Sequence, residues 1–178
     1  FSFKFEDSPA TVAHSSSENP ASNSISAIHI QGDTIWLGTS RGLSRSTDKG
    51  ASWRNYYGDR EFGTENISAI AWDKYNGVLW VSTAHSAERS GQTFPEGSGL
   101  RYTTDGGETW TKIAQPLDKE SDTLIVYGNS TLRALPVTVA IQNITYDIAV
   151  TRGVVWIASF AGGLRKSTDM GVTWQRVI

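Results

Sequence analysis

The sequence predicts an all-β fold in which four-stranded antiparallel sheets follow one another along the chain. Three stretches repeat the same order of short apolar runs, turns rich in Gly, Asn and Asp, and a closing tryptophan. β-branched and aromatic residues fill the runs, and no stretch has the sustained periodicity of a helix. Tandem four-stranded units with aromatic residues at fixed places are typical of β-propeller blades. The repeat therefore predicts a propeller with blade-like units at about 24–57, 66–113 and 140–178.

Each unit divides into four predicted strands, A to D in chain order. Strand A is predicted at 25–28, 67–70 and 141–144, and strand B surrounds a tryptophan in each unit. Strand B is almost continuously apolar, which is typical of a strand that is buried on both faces. The turn from A to B is expected to be tight, except at 147–153 in the third unit, where it is expected to be looser.

The most specific signal is an eight-residue motif that closes each unit. It reads Ser/Thr-x-Asp-x-Gly-x-Ser/Thr-Trp and occurs three times without exception. The aspartate can accept hydrogen bonds from its own turn, the glycine permits a positive φ, and the tryptophan covers the turn. We interpret these residues as structural rather than as catalytic acids or metal ligands, because a self-bonded turn satisfies its own polar groups. They are Asp48, Gly50, Trp53, Asp105, Gly107, Trp110, Asp169, Gly171 and Trp174.

The motif resembles the Asp box, also called the BNR repeat, and the resemblance covers about residues 24–178. The box recurs in sialidases, xyloglucan-degrading glycosidases, sortilin-type receptors and photosystem assembly factors. In those families it is a fold element far from the active site, which the resemblance implies here as well. The Phe/Tyr-Arg-Ile-Pro signature of sialidases is absent from this sequence. The resemblance therefore implies the propeller superfamily without choosing an activity.

Composition excludes several classes of function. The 178 residues suit one domain, and a net charge of −2 gives no reason to expect a nucleic-acid partner. No apolar run approaches the roughly 18 residues that cross a bilayer, so no membrane insertion is expected. Cysteine is absent, which excludes disulfides and thiolate metal sites. No other metal-binding or cofactor-binding motif is present, so we expect no metal and no cofactor.

The long segments between strands point to one face of the disc. In a four-stranded meander, the B–C turn and the D-to-A connection lie at the end opposite the C–D turns, which carry the boxes. All four long segments are B–C turns or D-to-A connections; they are 6–23, 57–66, 84–98 and 114–140. Long excursions from a rigid scaffold commonly carry function. We therefore expect any ligand on the face opposite the boxes.

The 84–98 segment, predicted to be a loop, supplies the candidate binding residues. Its His85, Glu88, Arg89, Phe94 and Glu96 could bind a carboxylate or a sugar. The alternative is a solvated loop whose charges only maintain solubility. The 114–140 segment contains two apolar runs around a Gly-Asn pair, which predicts an inserted hairpin.

Other conspicuous residues are expected to be structural. Trp72 and His29 are predicted to pack in the core. Arg45, Arg101 and Arg165 are expected to occupy one register of strand C, as a ladder rather than as a carboxylate clamp. A glycosidase needs two carboxylates on either side of the scissile bond. Asp73, Glu88 and Glu96 are candidates, but the sequence does not place them opposite each other.

Three functional hypotheses follow. The first is a non-catalytic module of an exported or cell-envelope protein that binds a protein or a glycan through the loop-rich face. The second is a part of an Asp-box glycoside hydrolase, and the third is a structural spacer in an assembly. Three units are fewer than the roughly four to eight blades of a closed propeller. We therefore expect the rest of a longer propeller or further copies of the chain as partners, with residues 1–23 as a lead-in whose 1–5 could be a strand of a preceding blade.

Overall fold

The computed structural model describes residues 16–177, which form fifteen strands and no helix. The all-β prediction is confirmed. The predicted strand at 1–5 lies outside the described residues. Nothing within 16–177 is a helix of the length and apolarity needed to cross a bilayer.

Three sheets repeat one plan, in which each strand pairs with the next one along the chain. A two-residue strand extends the outer edge of the first sheet by pairing with β5. The first sheet contains β1 (Ser16–Ser17), β2 (Ile25–Gln31), β3 (Thr34–Thr39), β4 (Gly42–Ser46) and β5 (Trp53–Asn55). The second contains β6 (Asn66–Asp73), β7 (Val78–Arg89), β8 (Gln92–Thr103) and β9 (Thr111–Ile113). The third contains β12 (Thr145–Thr151), β13 (Val154–Ser159), β14 (Gly163–Ser167) and β15 (Gln175–Val177).

The core consists of two layers, one in each space between neighbouring sheets. The middle sheet faces both layers, and its β7 residues Leu79, Trp80 and Val81 are fully buried. Leu79 and Val81 pack toward the first sheet, whereas Trp80 packs toward the third. Alternate side chains of a strand point to opposite faces, which explains why strand B is apolar without interruption.

The first strands of the three sheets lie against one another and are joined by side-chain hydrogen bonds. Ser26 Oγ donates to the backbone oxygen of Ile67 at 2.5 Å, and Ser68 Oγ donates to that of Thr145 at 2.7 Å. Both serines sit at irregularities in the pairing of strands A and B, where a bulge re-aims the side chain. Tyr146 occupies the same place in the third sheet. Two serines thus connect each sheet to the next one.

In each sheet, the side chain at one equivalent position of strand C binds the chain segment that leads into that sheet. Arg101 binds Glu65 at 2.8 Å, and Arg165 binds Asp118 at 2.8 Å. Ser44 holds the equivalent place in the first sheet and accepts a hydrogen bond from the backbone of Ala21. The prediction that Arg45 shares this register is wrong. Arg45 lies opposite Trp36, as Tyr102 lies opposite Trp80, so its side chain faces the other side of the sheet.

Two predictions for the third unit are also wrong. Strand A of the third sheet begins at Thr145, not at 141. In this sheet Ile148 pairs with Ile157, and the equivalent pair in the second sheet is Ile70 with Val81. The turn that follows it is tight, since only Arg152 and Gly153 separate β12 from β13. Both have positive φ, of 50° and 78°, as a two-residue type I′ hairpin requires.

The 84–98 segment is not a loop. Strands β7 and β8 continue through it as an antiparallel ladder to a two-residue turn at Ser90 and Gly91, whose φ values are 52° and 75°. The predicted hairpin within 114–140 is confirmed as β10 (Leu124–Tyr127) paired with β11 (Ser130–Arg133). We call residues 84–98 the long hairpin.

His29 and Trp72 are half-buried rather than fully enclosed. Their rings stack at a centroid separation of 5.8 Å, across the junction between the first two sheets. Burial lowers the pKa of His29, which favours the neutral imidazole.

Candidate functional site

The segments that enter the sheets converge with the long hairpin at one end of the molecule. The backbone of Gly97 donates to Ala140 at 3.1 Å, and that of Gln142 donates to Pro95 at 2.7 Å. These bonds hold the connection before β12 along the hairpin. A cavity of about 330 Å³ lies beside them, where the beginnings of all three first strands meet. We call it the axis cleft, and it is lined by Ser24, Ser26, Ser40, Asn66, Ile67, Ser68, Ala84, Ile144 and Tyr146.

Among the described residues, the lining of the axis cleft is rich in hydroxyl groups and contains no carboxylate. Ser40 Oγ lies 2.9 Å from Ser22 Oγ, and Ser68 Oγ lies 2.7 Å from Ser82 Oγ. A hydroxyl donates once and accepts twice, so Ser40 and Ser68, the members of these pairs that line the cleft, keep acceptor capacity. The cleft can therefore form hydrogen bonds to neutral polar groups without charge assistance.

Two exposed aromatic rings stand at the edge of the axis cleft. Tyr146 is 58% exposed and Phe160 is 66% exposed. Their centroids are 6.3 Å apart at an interplanar angle of 77°, which is an edge-to-face arrangement. Tyr146 lines the axis cleft itself, and both rings, with Pro95, line an adjoining cavity of about 270 Å³. Exposed aromatic rings beside a polar cleft are typical of a binding surface.

The five candidate residues of the long hairpin do not form part of the axis cleft. Directly opposed pairs share a face, and His85 is opposed by Glu96 while Phe94 is opposed by Ala87. Arg89 lies on this same face, where its guanidinium is 3.3 Å from the Glu96 carboxylate. Glu88 lies on the other face. Their role in binding stays a prediction.

Hydrogen bonds and ion pairs occupy most of the charged groups around the long hairpin. His85 Nδ1 lies 2.8 Å from Ser98 Oγ. In the groove of about 370 Å³ beside His85, Lys112 is 3.5 Å from the carboxylate of Glu61. Glu65, which also lines this groove, is paired with Arg101 at 2.8 Å. Among the residues that the structure describes, the groove therefore does not contain two free acids.

The three box aspartates accept hydrogen bonds within their own turns. Asp48 accepts from the Ser52 hydroxyl at 2.6 Å and from the Ser52 backbone at 2.8 Å. Asp169 makes the same two bonds to Thr173. The bonds from Ser52 and Thr173, followed by those from Ser46 and Ser167, lower the pKa of both carboxyls to about 2.

Asp105 follows the same pattern with more burial. Desolvation raises its pKa, but hydrogen bonds from Thr109, Thr103 and the backbone of Glu108 outweigh it and lower the pKa to about 2. Within residues 16–177, no three His, Cys, Asp or Glu side chains are grouped so that they could hold a metal ion.

These pKa values predict a specific acid sensitivity. A carboxyl with a folded pKa near 2 and an unfolded pKa near 3.8 stabilises the fold fully above pH about 4. That contribution declines as the pH falls toward 2. Asp105→Asn is therefore expected to lower the melting temperature at pH about 7 and to differ less from wild type at pH about 2.

Thermal unfolding followed by circular dichroism at pH about 7, 4 and 2 measures this effect. Asp33→Asn, at an exposed turn residue, is the control and should change stability by less than about 0.5 kcal/mol. A deficit of Asp105→Asn that is as large at pH 2 as at pH 7 would contradict the assignment.

Sequence reasoning missed the axis cleft and its aromatic pair. Tyr146 lies in a bulge of strand A and Phe160 follows strand B of the same sheet, so their proximity depends on the pairing register. Ser26 and Ser68 were visible as a repeated Ile-Ser-Ala-Ile pattern, but the pattern does not show that they converge. The available signal was their identical place in successive repeats.

The repeated sheets, the linked first strands and the self-bonded boxes are those of a β-propeller fold with Asp-box repeats. The sequence model of the BNR/Asp-box repeat matches residues 101–112, which confirms the resemblance. A probable oligoxyloglucan-reducing end-specific xyloglucanase of Neosartorya fischeri is 32% identical over 102 residues. The match covers 54% of this chain and 11% of the fungal protein, so this chain corresponds to a small part of it.

Two solved structures confirm the propeller fold. An ancestral GH74 enzyme superposes with a TM-score of 0.54 at 21% identity, over 86% of this chain and 18% of that chain. YCF48 bound to D1 peptide superposes with a TM-score of 0.55 at 17% identity, over 90% of this chain and 43% of that chain. At these identities the likeness concerns the fold.

Proposed function

We propose that this chain is a carbohydrate-binding segment of a β-propeller and that it holds a neutral polysaccharide in the axis cleft. The observation that carries the proposal is the exposed Tyr146–Phe160 pair beside a hydroxyl-lined cleft without carboxylates. An aromatic ring offers a flat apolar surface to the carbon face of a sugar, and hydroxyl groups can bond to the edge of the same sugar.

The similarity to a xyloglucanase supports a polysaccharide as the ligand class. A polysaccharide would be met outside the cytoplasm, so the proposal includes an exported or cell-envelope location. A neutral glycan also suits a cleft whose lining carries no charged side chain.

Removal of either ring tests the proposal. Tyr146→Ala and Phe160→Ala are each expected to weaken binding of xyloglucan oligosaccharides by about fivefold, since one aromatic contact contributes about 1 kcal/mol. Isothermal titration calorimetry measures the affinity. Tyr75→Ala is the matched control, because Tyr75 is a 67% exposed tyrosine in the A–B turn of the second sheet, at the end that carries the boxes.

The outcomes separate the hypotheses. Loss of affinity in Tyr75→Ala equal to that in Tyr146→Ala would overturn the location. If wild-type protein binds no member of a panel of xyloglucan, cellulose and mannan oligosaccharides, the proposal fails, and a spacer role gains support.

Glycoside hydrolysis by the whole protein is a second candidate function, favoured by the xyloglucanase match. Hydrolysis needs two carboxylates about 5–10 Å apart across the bound sugar. Within 16–177, the residues that line the axis cleft supply none, so we assign binding rather than hydrolysis to these residues. Release of reducing ends by this chain, and its loss in Glu96→Gln or Glu88→Gln, would contradict that assignment.

A further inference from the structure

The chain segment before β12 brings Gln142 to the cavity of about 270 Å³ that adjoins the axis cleft. We call this cavity the side pocket. It shares Ile144 and Tyr146 with the axis cleft, so a ligand in one space also contacts the wall of the other. Its volume is below the roughly 300–1,000 Å³ of sites that enclose a drug-sized ligand. The side pocket therefore suits one small unit of a longer ligand.

The side pocket combines apolar rings with one side-chain amide. Pro95, Tyr146 and Phe160 supply the rings, and within 16–177 none of the lining residues is charged. Gln142 is exposed, and its side chain forms no hydrogen bond to any residue within 16–177. A carboxamide accepts through its oxygen and donates through its nitrogen. It can therefore bind two adjacent hydroxyl groups at the same time, one at each end.

The backbone of Gln142 has a conformation that is uncommon for a residue with a side chain. Its φ is 53°, in the left-handed region. Hydrogen bonds to both neighbouring segments hold it there. The backbone of Gln142 donates to Pro95 at 2.7 Å in the long hairpin, and that of Phe160 donates to Ile144 at 3.0 Å.

The strained conformation bears on the role of the side chain. A backbone strain of this kind persists only where the surroundings fix it, and it is frequent at ligand sites. Glycine would adopt the same φ without strain. The presence of Gln142 at this position therefore favours a role for its side chain, and the fixed backbone holds that side chain beside the two aromatic rings.

We propose that Gln142 is a binding residue of the carbohydrate site and that it holds two adjacent hydroxyl groups of one sugar ring in the side pocket. This inference rests on the proposed carbohydrate function and adds the chemical group that the site recognises. A sugar ring that lies on Tyr146 or Phe160 presents its hydroxyl groups at its edge, where a carboxamide can bond to them.

A titration of the wild-type protein tests the contact directly. The ¹⁵N-labelled protein is titrated with a xyloglucan oligosaccharide, and the side-chain amide signals of Gln142 are followed by NMR. Their absence from the spectrum of Gln142→Gly assigns them. We expect these signals to shift and to saturate with the dissociation constant that calorimetry gives. A complex that saturates without moving them would overturn the inference.

Gln142→Gly tests whether the contact contributes to affinity. We expect binding to weaken at least about fivefold, because each neutral hydrogen bond strengthens binding by a factor of about two to ten. The melting temperature should not fall, since glycine adopts a positive φ freely. Arg152→Gly is the matched control, because Arg152 is exposed, has a φ of 50° and lies at the other end of β12. It should change the affinity by less than about twofold and likewise should not lower the melting temperature.

The outcomes separate this inference from the carbohydrate proposal. Wild-type affinity in Gln142→Gly, with weaker binding by Tyr146→Ala, would overturn the role of Gln142 and leave the carbohydrate site in place. An equal loss of affinity in Arg152→Gly would also overturn that role, because the loss would not depend on the side pocket. If the wild-type protein binds no oligosaccharide of the panel, both proposals fail.

Discussion

Replacing Asp118 by alanine is expected to lower the free energy of unfolding by about 3–5 kcal/mol, because it leaves a buried arginine without its counter-charge. The side chains of Asp118 and Arg165 are each only 3% exposed. Asp118 also binds Arg176 at 3.1 Å and accepts from the backbone of Val137 at 2.7 Å. One carboxylate therefore ties strands C and D of the third sheet to both ends of the segment that carries β10 and β11.

Urea unfolding at neutral pH measures the loss. Asp122→Ala is the matched control, since Asp122 is an exposed aspartate of the same segment, and its change should stay below about 1 kcal/mol. The Asp118→Ala protein should also become more sensitive to proteolysis between 119 and 136. A loss below about 1 kcal/mol would show that Arg165 finds another partner and that Asp118 is not the anchor.

Replacing Gly99 by alanine is expected to cost about 3 kcal/mol or more. Its φ is 93°, and an added Cβ would lie 2.1 Å from the backbone oxygen of Ile113 and 2.8 Å from the backbone nitrogen of Gln115. Backbone atoms of a paired strand cannot rotate aside as a side chain can. Overpacking costs about 1–3 kcal/mol, and the positive φ adds about 1–2 kcal/mol.

Gly163 offers a control at the same place in the third sheet. Its φ is 65°, but no heavy atom of residues 16–177 would lie within 4 Å of an added Cβ. Gly163→Ala should therefore cost only the backbone contribution of about 1–2 kcal/mol. Equal losses of stability in the two variants would mean that the clash with the Ile113 backbone does not determine the cost of Gly99→Ala. Denaturant unfolding of both proteins gives the comparison.

The repeated sheets could be predicted because their determinants are local. The boxes carry their own hydrogen-bond partners within five residues, as Asp48 shows with Ser46 and Ser52. Positive φ angles at Lys49 and Gly50 complete the turn. Strand B was equally clear, because burial on both faces removes polar residues from it.

The wrong predictions arose where pairing, not local preference, decides the structure. Residues 141–144 resemble the start of a strand, yet they run beside the long hairpin, where Gln142 binds Pro95. The long hairpin has few β-branched residues, and the ladder that continues from β7 and β8 imposes its strands. Its Ser90–Gly91 turn was a usable signal, because such a pair favours a tight hairpin.

The candidate site was predicted only to the level of a face. The loop-rich end does hold the axis cleft, but the five residues chosen on the long hairpin line neither that cleft nor the cavity beside Phe160. The cleft is assembled from short serines on three different sheets. A serine at the bulge of a single repeat does not indicate a binding site. Only the arrangement of the sheets shows that these serine side chains converge.

The serine links between sheets have a consequence for how such a molecule can change. Ser26 and Ser68 both donate to a main-chain oxygen, so the sheet that receives the bond needs no particular side chain there. The donating position needs a hydroxyl side chain, whereas any residue can supply the accepting oxygen. In the third sheet, the backbone oxygen of Thr145 accepts the bond from Ser68, so the adjacent Tyr146 need not be a serine. A repeat can therefore carry a different residue at the linking position, as the third sheet carries Tyr146, while its junction with the preceding sheet stays intact.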